Sequence, residues 1–185
     1  MAYMMGIDVG TTGTRAIIVR PDGHIVGGAT GDHQPMKMAK PGWAEQEPED
    51  WWHATLVAIR GAFDQAQLKG SDIDAVGFSG QMHGVVLMDS TPAVLRPSLI
   101  WCDQRSQAQC DWITSTVGAE RLIKLVSNPA LTGFSAPKLL WIRDGSRRLS
   151  SAPRTSSCPR ILCVSVLRVN LPPTSRTPRA LCFLM

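Results

Sequence analysis

The sequence predicts an α/β layer architecture. Three observations carry this: a run of three short β-branched segments at the start, a long amphipathic segment after them, and then short apolar runs alternating with helical ones. Tyr3 to Val9, Arg15 to Val19 and His24 to Thr30 are rich in apolar and β-branched residues, and Arg20 to Gly23 (RPDG) is a turn signal between the second and third, so an antiparallel meander is expected. Pro48 stands at a helix start with Glu49 and Asp50 in its first turn. Behind them Trp52, Leu56, Ile59, Phe63 and Ala66 recur at spacings of three and four, which predicts a helix laying that face on the sheet. Ile73 to Phe78, Val85 to Met88 and Pro97 to Trp101 read as strands, each ending near polar residues able to line a cleft. Segments 106–117, 119–126 and 136–143 read as helices, the last with Ser135 as its N-cap.

A chain of 185 residues at 44% hydrophobic composition is long enough for one globular domain with a substantial core. No stretch approaches the roughly 20 apolar residues that cross a bilayer, and an acidic residue stands where a signal peptide would continue its apolar run. The expectation is a cytoplasmic protein without membrane contact. The cysteines lack metal-ligand spacing: Cys102 and Cys110 are isolated, and Cys158, Cys163 and Cys182 lie in an unusual tail, so reduced thiols are expected. The net charge of +4 averages two unlike segments. Residues 1–144 carry 12 Lys and Arg against all 15 acidic residues, while residues 145–185 carry seven Arg, no Lys and no acid. An arginine-rich arm is compatible with nucleic acid or an anionic surface, but this one lacks aromatic interleaving beyond Phe183 and has no helical period, so no nucleic-acid partner is expected.

The chemistry is concentrated in a few motifs. Asp8 to Arg15 reads DVGTTGTR directly after the first apolar run. A carboxylate at a strand end can hold a hydrated divalent cation, while Gly10 and Gly13 let backbone amides and the Thr11 and Thr12 hydroxyls approach phosphate oxygens; an ordinary Gly/Thr-rich hairpin turn would read the same way. Gly80 to Gly84 (GQMHG) lies between two strands, so Gln81, Met82 and His83 sit on a bend, with His83 either a polar reader of a ligand or a solvated loop histidine. Trp101, Asp103 and Arg105 of WCDQR leave a strand end together. An indole face for a sugar's C–H surface, with a carboxylate and a guanidinium for hydroxyls, is an economical polyol site, and core packing is the other reading of Trp101. PGWAEQEP (41–48) supplies Trp43, Glu45 and Gln46 in a loop bounded by prolines, as a second sugar wall or as the lead-in to the helix.

In order and approximate spacing, DVGTT, GWAEQEP, GQMHG, LRPSLIWCDQR and GFSAPKLLWIRD resemble the FGGY carbohydrate kinases over residues 3–144. GQMHG with WCDQR is most similar to the xylulose-phosphorylating members, whereas glycerol kinases carry an Arg-Glu-containing sequence where Met82 and His83 stand. The resemblance implies an actin-like ATPase (ribonuclease H-like) fold, here incomplete and followed by an irregular C-terminal tail, with ATP and sugar meeting between two such domains. It implies Mg2+ and its water at Asp8, ATP phosphates at Gly10, Thr11 and Thr12 with Arg15 beside them, and D-xylulose at Met82 and His83, with Trp101, Asp103 and Arg105 nearby. Phosphoryl transfer also needs a base for the hydroxyl proton. The family's base is an aspartate farther along, matched by no position here, so a catalytically inactive N-terminal portion is expected.

Residues 145–185 read as family sequence displaced by one nucleotide, with a disordered basic extension as the rival reading. If Ser157 to Ile161 (SCPRI) is coded TCC TGC CCA AGG ATT, starting at its third base gives Leu-Pro-Lys-Asp, which the family has at this point. The same displacement of Val166 to Ala180 permits LTGEFATDVADASG, close to the family's next signature, and places the shift near Asp144 or Gly145. Five prolines among the 41 tail residues interrupt helices and interior strands, and Ile161 to Leu167 could form a chance strand prone to association. Two further functional expectations stand beside the xylulose reading: a kinase portion for another sugar or polyol, and a non-catalytic sugar-binding module. The sequence says nothing of oligomeric state.

Overall fold

The computed structural model describes residues 2–89, 91, 93–149, 160–162 and 179–182, with backbone alone from residue 146 onward. In chain order the elements are β1 Tyr3–Val9, β2 Gly13–Val19, β3 Ile25–Asp32, β4 Glu45–Gln46, α1 Pro48–Ala66, β5 Ile73–Gly80, β6 Val86–Met88, β7 Ser98–Leu99, α2 Gln107–Val117, α3 Ala119–Val126, α4 Ser135–Leu149, β8 Arg160–Leu162 and β9 Arg179–Cys182. They divide into two compact units, one built from residues 2–35, 48–81 and 179–182, the other from 36–47 and 82–162.

The first unit carries a sheet of order β3-β2-β1-β5-β9. β1, β2 and β3 form the expected antiparallel meander, with Ile7 opposite Ala16 and Ala16 opposite Ala29. β5 returns parallel to β1, and β9 lies parallel to β5. Alternation along the strands sorts the side chains: Met5, Ile7 and Val9 of β1 and Thr14, Ala16 and Ile18 of β2 are buried, whereas Asp8 and Arg15 are exposed. Helix α1 packs on β2 and β3.

The buried face of α1 corrects the expectation. Trp51, Ala54, Thr55, Ala58 and Ala62 face inward, and Trp52 is 39% exposed. The reason is the closeness of the contact. A Cβ added to Gly27 would collide with the Ala62 carbonyl oxygen and come within 2.8 Å of the Ala66 Cβ; one added to Gly31 would strike the Ala54 carbonyl; and one added to Gly61 would lie 2.6 Å from the Ala29 Cβ. Where two backbones approach this nearly, only small residues fit in the seam itself.

In the second unit β4 pairs antiparallel with β7, Glu45 opposite Leu99 and Gln46 opposite Ser98, and β6 pairs antiparallel with β8. Ala44, Val85, Val86, Leu87, Leu99, Ile100 and Cys110 are buried here, and α2 packs against both α3 and α4. Two expectations are corrected. Glu45 and Gln46 form a short strand rather than a loop, because the amide and carbonyl of Glu45 also bond Lys37 across the other edge. Helix α4 runs six residues beyond the predicted 143, and Ser135 is its first residue. Of the tail segment expected to form a chance strand, Ile161 and Leu162 lie in β8; residues 163–167 lie outside the described residues, as does most of the remaining tail. Among the described residues, no helix is long and apolar enough to cross a membrane.

The glycine seam gives a direct test. Gly31→Ala forces a methyl group into the Ala54 backbone, and urea denaturation is expected to show a loss of about 1–3 kcal/mol, whereas Gly70→Ala, with open space around its Cβ position, should leave the midpoint unchanged.

Candidate functional site

In the first unit the candidate group sits at one end of the sheet. Asp8 ends its strand on the exposed alternation, directly opposite Arg15 on β2 and in register with Ser79 on β5, and all three side chains are exposed. The turn between β1 and β2 spans Gly10 to Thr12. The Gly10 amide donates to the Gly13 carbonyl at 3.0 Å, so Gly10 serves the turn through its bare Cα; a Cβ there would lie 3.1 Å from that same carbonyl. Thr12 is exposed and Thr11 half-buried.

Sequence reasoning missed the residue that braces this turn. His33, 8% exposed, donates its backbone amide to the Thr12 carbonyl at 2.9 Å. Its Nδ1 lies 3.4 Å from the Thr11 carbonyl and its Nε2 lies 2.9 Å from the hydroxyl of fully buried Thr14. A carbonyl can only accept, so in the neutral ring these contacts match a tautomer with the proton on Nδ1 and Nε2 accepting from the Thr14 hydroxyl. Gln81 closes the other side, its backbone amide donating to the Val9 carbonyl at 2.8 Å and its Nε2 to the Gly10 carbonyl at 3.4 Å.

The exposed Asp8 carboxylate is compatible with serving as one ligand of a hydrated magnesium ion. Mg2+ keeps several waters and is held by one or two carboxylates together with substrate phosphates; a single exposed carboxylate at a strand end suits that role. Among the described residues no group of three His, Cys, Asp or Glu side chains is placed to cage a metal.

In the second unit, Met82 and His83 occupy the bend before β6, Met82 being 55% exposed. His83 has φ +61°, in the left-handed region, a backbone choice costing on the order of 1–3 kcal/mol that surrounding contacts must sustain. Its ring meets Phe134 edge-on at 4.6 Å. Its carbonyl accepts from the Lys138 amine at 3.1 Å and lies 3.4 Å from the Ser135 hydroxyl, which donates to it. The His83 imidazole is held below the ordinary histidine pKa, first by burial and then by the Lys138 charge. Neither Lys138 nor Phe134 was singled out from the sequence; the one available signal was a lysine among the apolar residues of GFSAPKLLW.

Trp101 follows β7 and is 48% exposed. Asp103 and Arg105 are placed differently from the polyol-facing pair that the sequence suggested. Asp103 is fully buried and the Arg105 side chain is 1% exposed. Asp103 accepts from the Ala44 amide at 2.7 Å and from Arg105 Nε at 2.8 Å, and the Arg105 guanidinium reaches Glu45 at 2.7 Å. Glu45 Oε1 also takes Arg96 at 2.6 Å. Trp43 is likewise no open wall: the guanidinium carbon of Arg105 lies 3.8 Å from the Trp43 ring centre and 5.0 Å from that of Trp141, and the two indoles meet edge-on at 5.6 Å. Asp103 and Arg105 therefore brace the segment that carries Trp101.

Residues 3–158 match the N-terminal domain of the FGGY family of carbohydrate kinases. The chain belongs to that family. It is 37% identical over 144 residues to the xylulose kinase of Bacillus subtilis (strain 168), covering 78% of this chain and 28% of that protein. It is also 37% identical over 143 residues to the glycerol kinase of Leifsonia xyli subsp. xyli, covering 77% of this chain and 28% of that one. Its fold is similar to the crystal structure of xylulose kinase from Rhodospirillum rubrum with a TM-score of 0.73 and 29% identity, over 80% of this chain and 30% of that chain. The chain thus spans under a third of the length of these proteins. With such neighbours, the α/β core is the actin-like ATPase fold of FGGY sugar kinases.

Two measurements test this geometry. Removing one member of the buried network leaves the other charge without its partner, so Asp103→Ala should lower the unfolding free energy by about 3–5 kcal/mol, while Lys37→Ala, at the exposed pair with Glu47, should give no measurable change. An imidazole NMR titration should put His83 below 6.5. Since its folded-state pKa is depressed, the stability tied to neutral His83 is full above 6.5 and is lost as pH falls through the folded-state value; His83→Gln should flatten that part of the profile.

Proposed function

We propose that this chain is the N-terminal part of an ATP-dependent kinase that converts D-xylulose to D-xylulose 5-phosphate. The observation that carries the choice of sugar is the bend of GQMHG: exposed Met82 and left-handed His83 in one unit with half-exposed Trp101. Overall identity does not discriminate, being 37% to a xylulose kinase and to a glycerol kinase alike. In this reading Met82 and Trp101 supply apolar surface to the sugar's C–H faces and His83 hydrogen-bonds a hydroxyl, while Asp103 and Arg105 hold the Trp101 segment. Asp8 takes Mg2+ through its water, and Gly10, Thr11, Thr12 and Arg15 receive the phosphates. ATP, when bound, supplies the phosphoryl group. Positioning and charge neutralisation are the protein's share.

The displaced frame of residues 145–185 belongs to the same proposal. On that reading the residues after 158, where the family match ends, supply no family position. Resequencing across codon 145 decides the frame. The 185-residue polypeptide, given ATP, Mg2+ and D-xylulose, is expected to yield no sugar phosphate; a rate above background removes the inactivity. The frame-restored polypeptide should favour D-xylulose by kcat/KM over other ketoses and glycerol, and His83→Ala should lower that ratio about tenfold or more. A preference for glycerol or another ketose rejects the substrate assignment.

A further inference from the structure

The largest fully buried side chain of the described residues is a lysine. Lys138, in the first turns of α4, is 0% exposed. Its Nζ donates to the Gly133 carbonyl at 2.7 Å and to the His83 carbonyl at 3.1 Å. Two carbonyl oxygens from segments 50 residues apart in the chain thus converge on one point. Both are acceptors, so without a donor between them their dipoles repel and both lose solvation. An ammonium turns that repulsion into a bridge. A methionine would fill the same volume, take the amine from the Gly133 oxygen and leave the His83 oxygen only the longer 3.4 Å bond from the Ser135 hydroxyl.

The residues around Lys138 act on the same target. Phe134 meets the His83 ring edge-on, and the Ser135 hydroxyl donates to the carbonyl that Lys138 also holds. Gly133, the other partner of the amine, packs so closely on the Trp101 carbonyl that a Cβ would stand 3.1 Å from it. One short stretch, 133–138, therefore grips both His83 and the Trp101 backbone, and Lys138 is the member that joins them.

We propose that Lys138 is a positioning residue: its buried amine holds the His83 backbone in its left-handed turn and, through Gly133, fixes the spacing between His83 and Trp101. The consequence for sugar binding rests on the xylulose reading above; the clamp itself does not. Of the four histidines only His83 precedes a glycine, so labelling His carbonyl carbon and Gly amide nitrogen gives a single His83–Gly84 NMR correlation in the full chain. Lys138→Met should move that carbonyl signal upfield, as a lost hydrogen bond requires, and should weaken D-xylulose binding in calorimetry on the order of tenfold or more. Lys138→Arg, which keeps charge and donors, should recover part of both effects.

An unmoved signal in Lys138→Met overturns the clamp. Where that variant does not fold, the unmodified chain decides: one lysine ammonium should be protected from solvent exchange and show scalar coupling to the His83 carbonyl, and absence of that coupling rejects the proposal. If the unmodified chain binds no D-xylulose, the sugar reading falls, while the carbonyl shift and the protected ammonium still decide the clamp.

Discussion

The Arg105 guanidinium is buried, and carboxylates and rings from several segments of the second unit surround it. Asp103 neutralises it from two residues away, Glu45 reaches it from β4, and Trp43 and Trp141 flank it with their rings. Arginine suits this position because its planar fork can bond two carboxylates at its edge while its face stacks on an indole. Lysine offers neither geometry. The same carboxylate of Asp103 takes the Ala44 amide, and the Gln104 amide bonds the Gly42 carbonyl. The PGWAEQEP and WCDQR motifs are thus held as one assembly, with Trp101 exposed beside it.

The first unit solves a different problem. Its Asp8 is accessible beside a braced turn, and strand alternation places it on the exposed side. Rigidity comes from below the turn: His33 ties Thr11 and Thr12 to buried Thr14, and Thr55 of α1 reaches the Thr14 hydroxyl at 3.4 Å. That path exists because α1 lies almost against the backbone of β3, which the glycines of β3 permit. Small residues in the seam and the braced turn between β1 and β2 are linked consequences of one close approach.

Much of the fold was legible in the sequence because it is written locally. The runs of the meander, the Pro48 start of α1 and the spans of α2 and α3 follow from period, turn residues and caps. The facing of α1 was not legible: weighting by bulk selects Trp52 and Phe63, whereas contact between two backbones selects Ala54, Ala58 and Ala62. The exposure of Asp8 follows from its parity on β1. Asp103 and Arg105 were misread as open polar groups, since charges two residues apart at a strand end look solvated until the Glu45 and Trp43 segment is brought over them. His33 and Lys138 left still less trace. Their roles depend on which carbonyls lie within reach, and sequence spacing does not encode that.

Asp8 and Asp103 show why a carboxylate's identity says little without its lone pairs. The oxygens of Asp103 already accept the Ala44 amide, the Arg105 amide and the Arg105 side chain. A cation or a sugar hydroxyl could reach it only by displacing bonds made where water cannot replace them. Asp8 makes no side-chain hydrogen bond or ion pair among the described residues and faces solvent, so its oxygens remain available to a hydrated ion. The buried aspartate can therefore fix a framework and the exposed one can exchange a ligand. Exchanging their surroundings would remove both properties: a hydrated turn could not neutralise Arg105, and a carboxylate saturated by guanidinium would keep no free lone pair for a ligand.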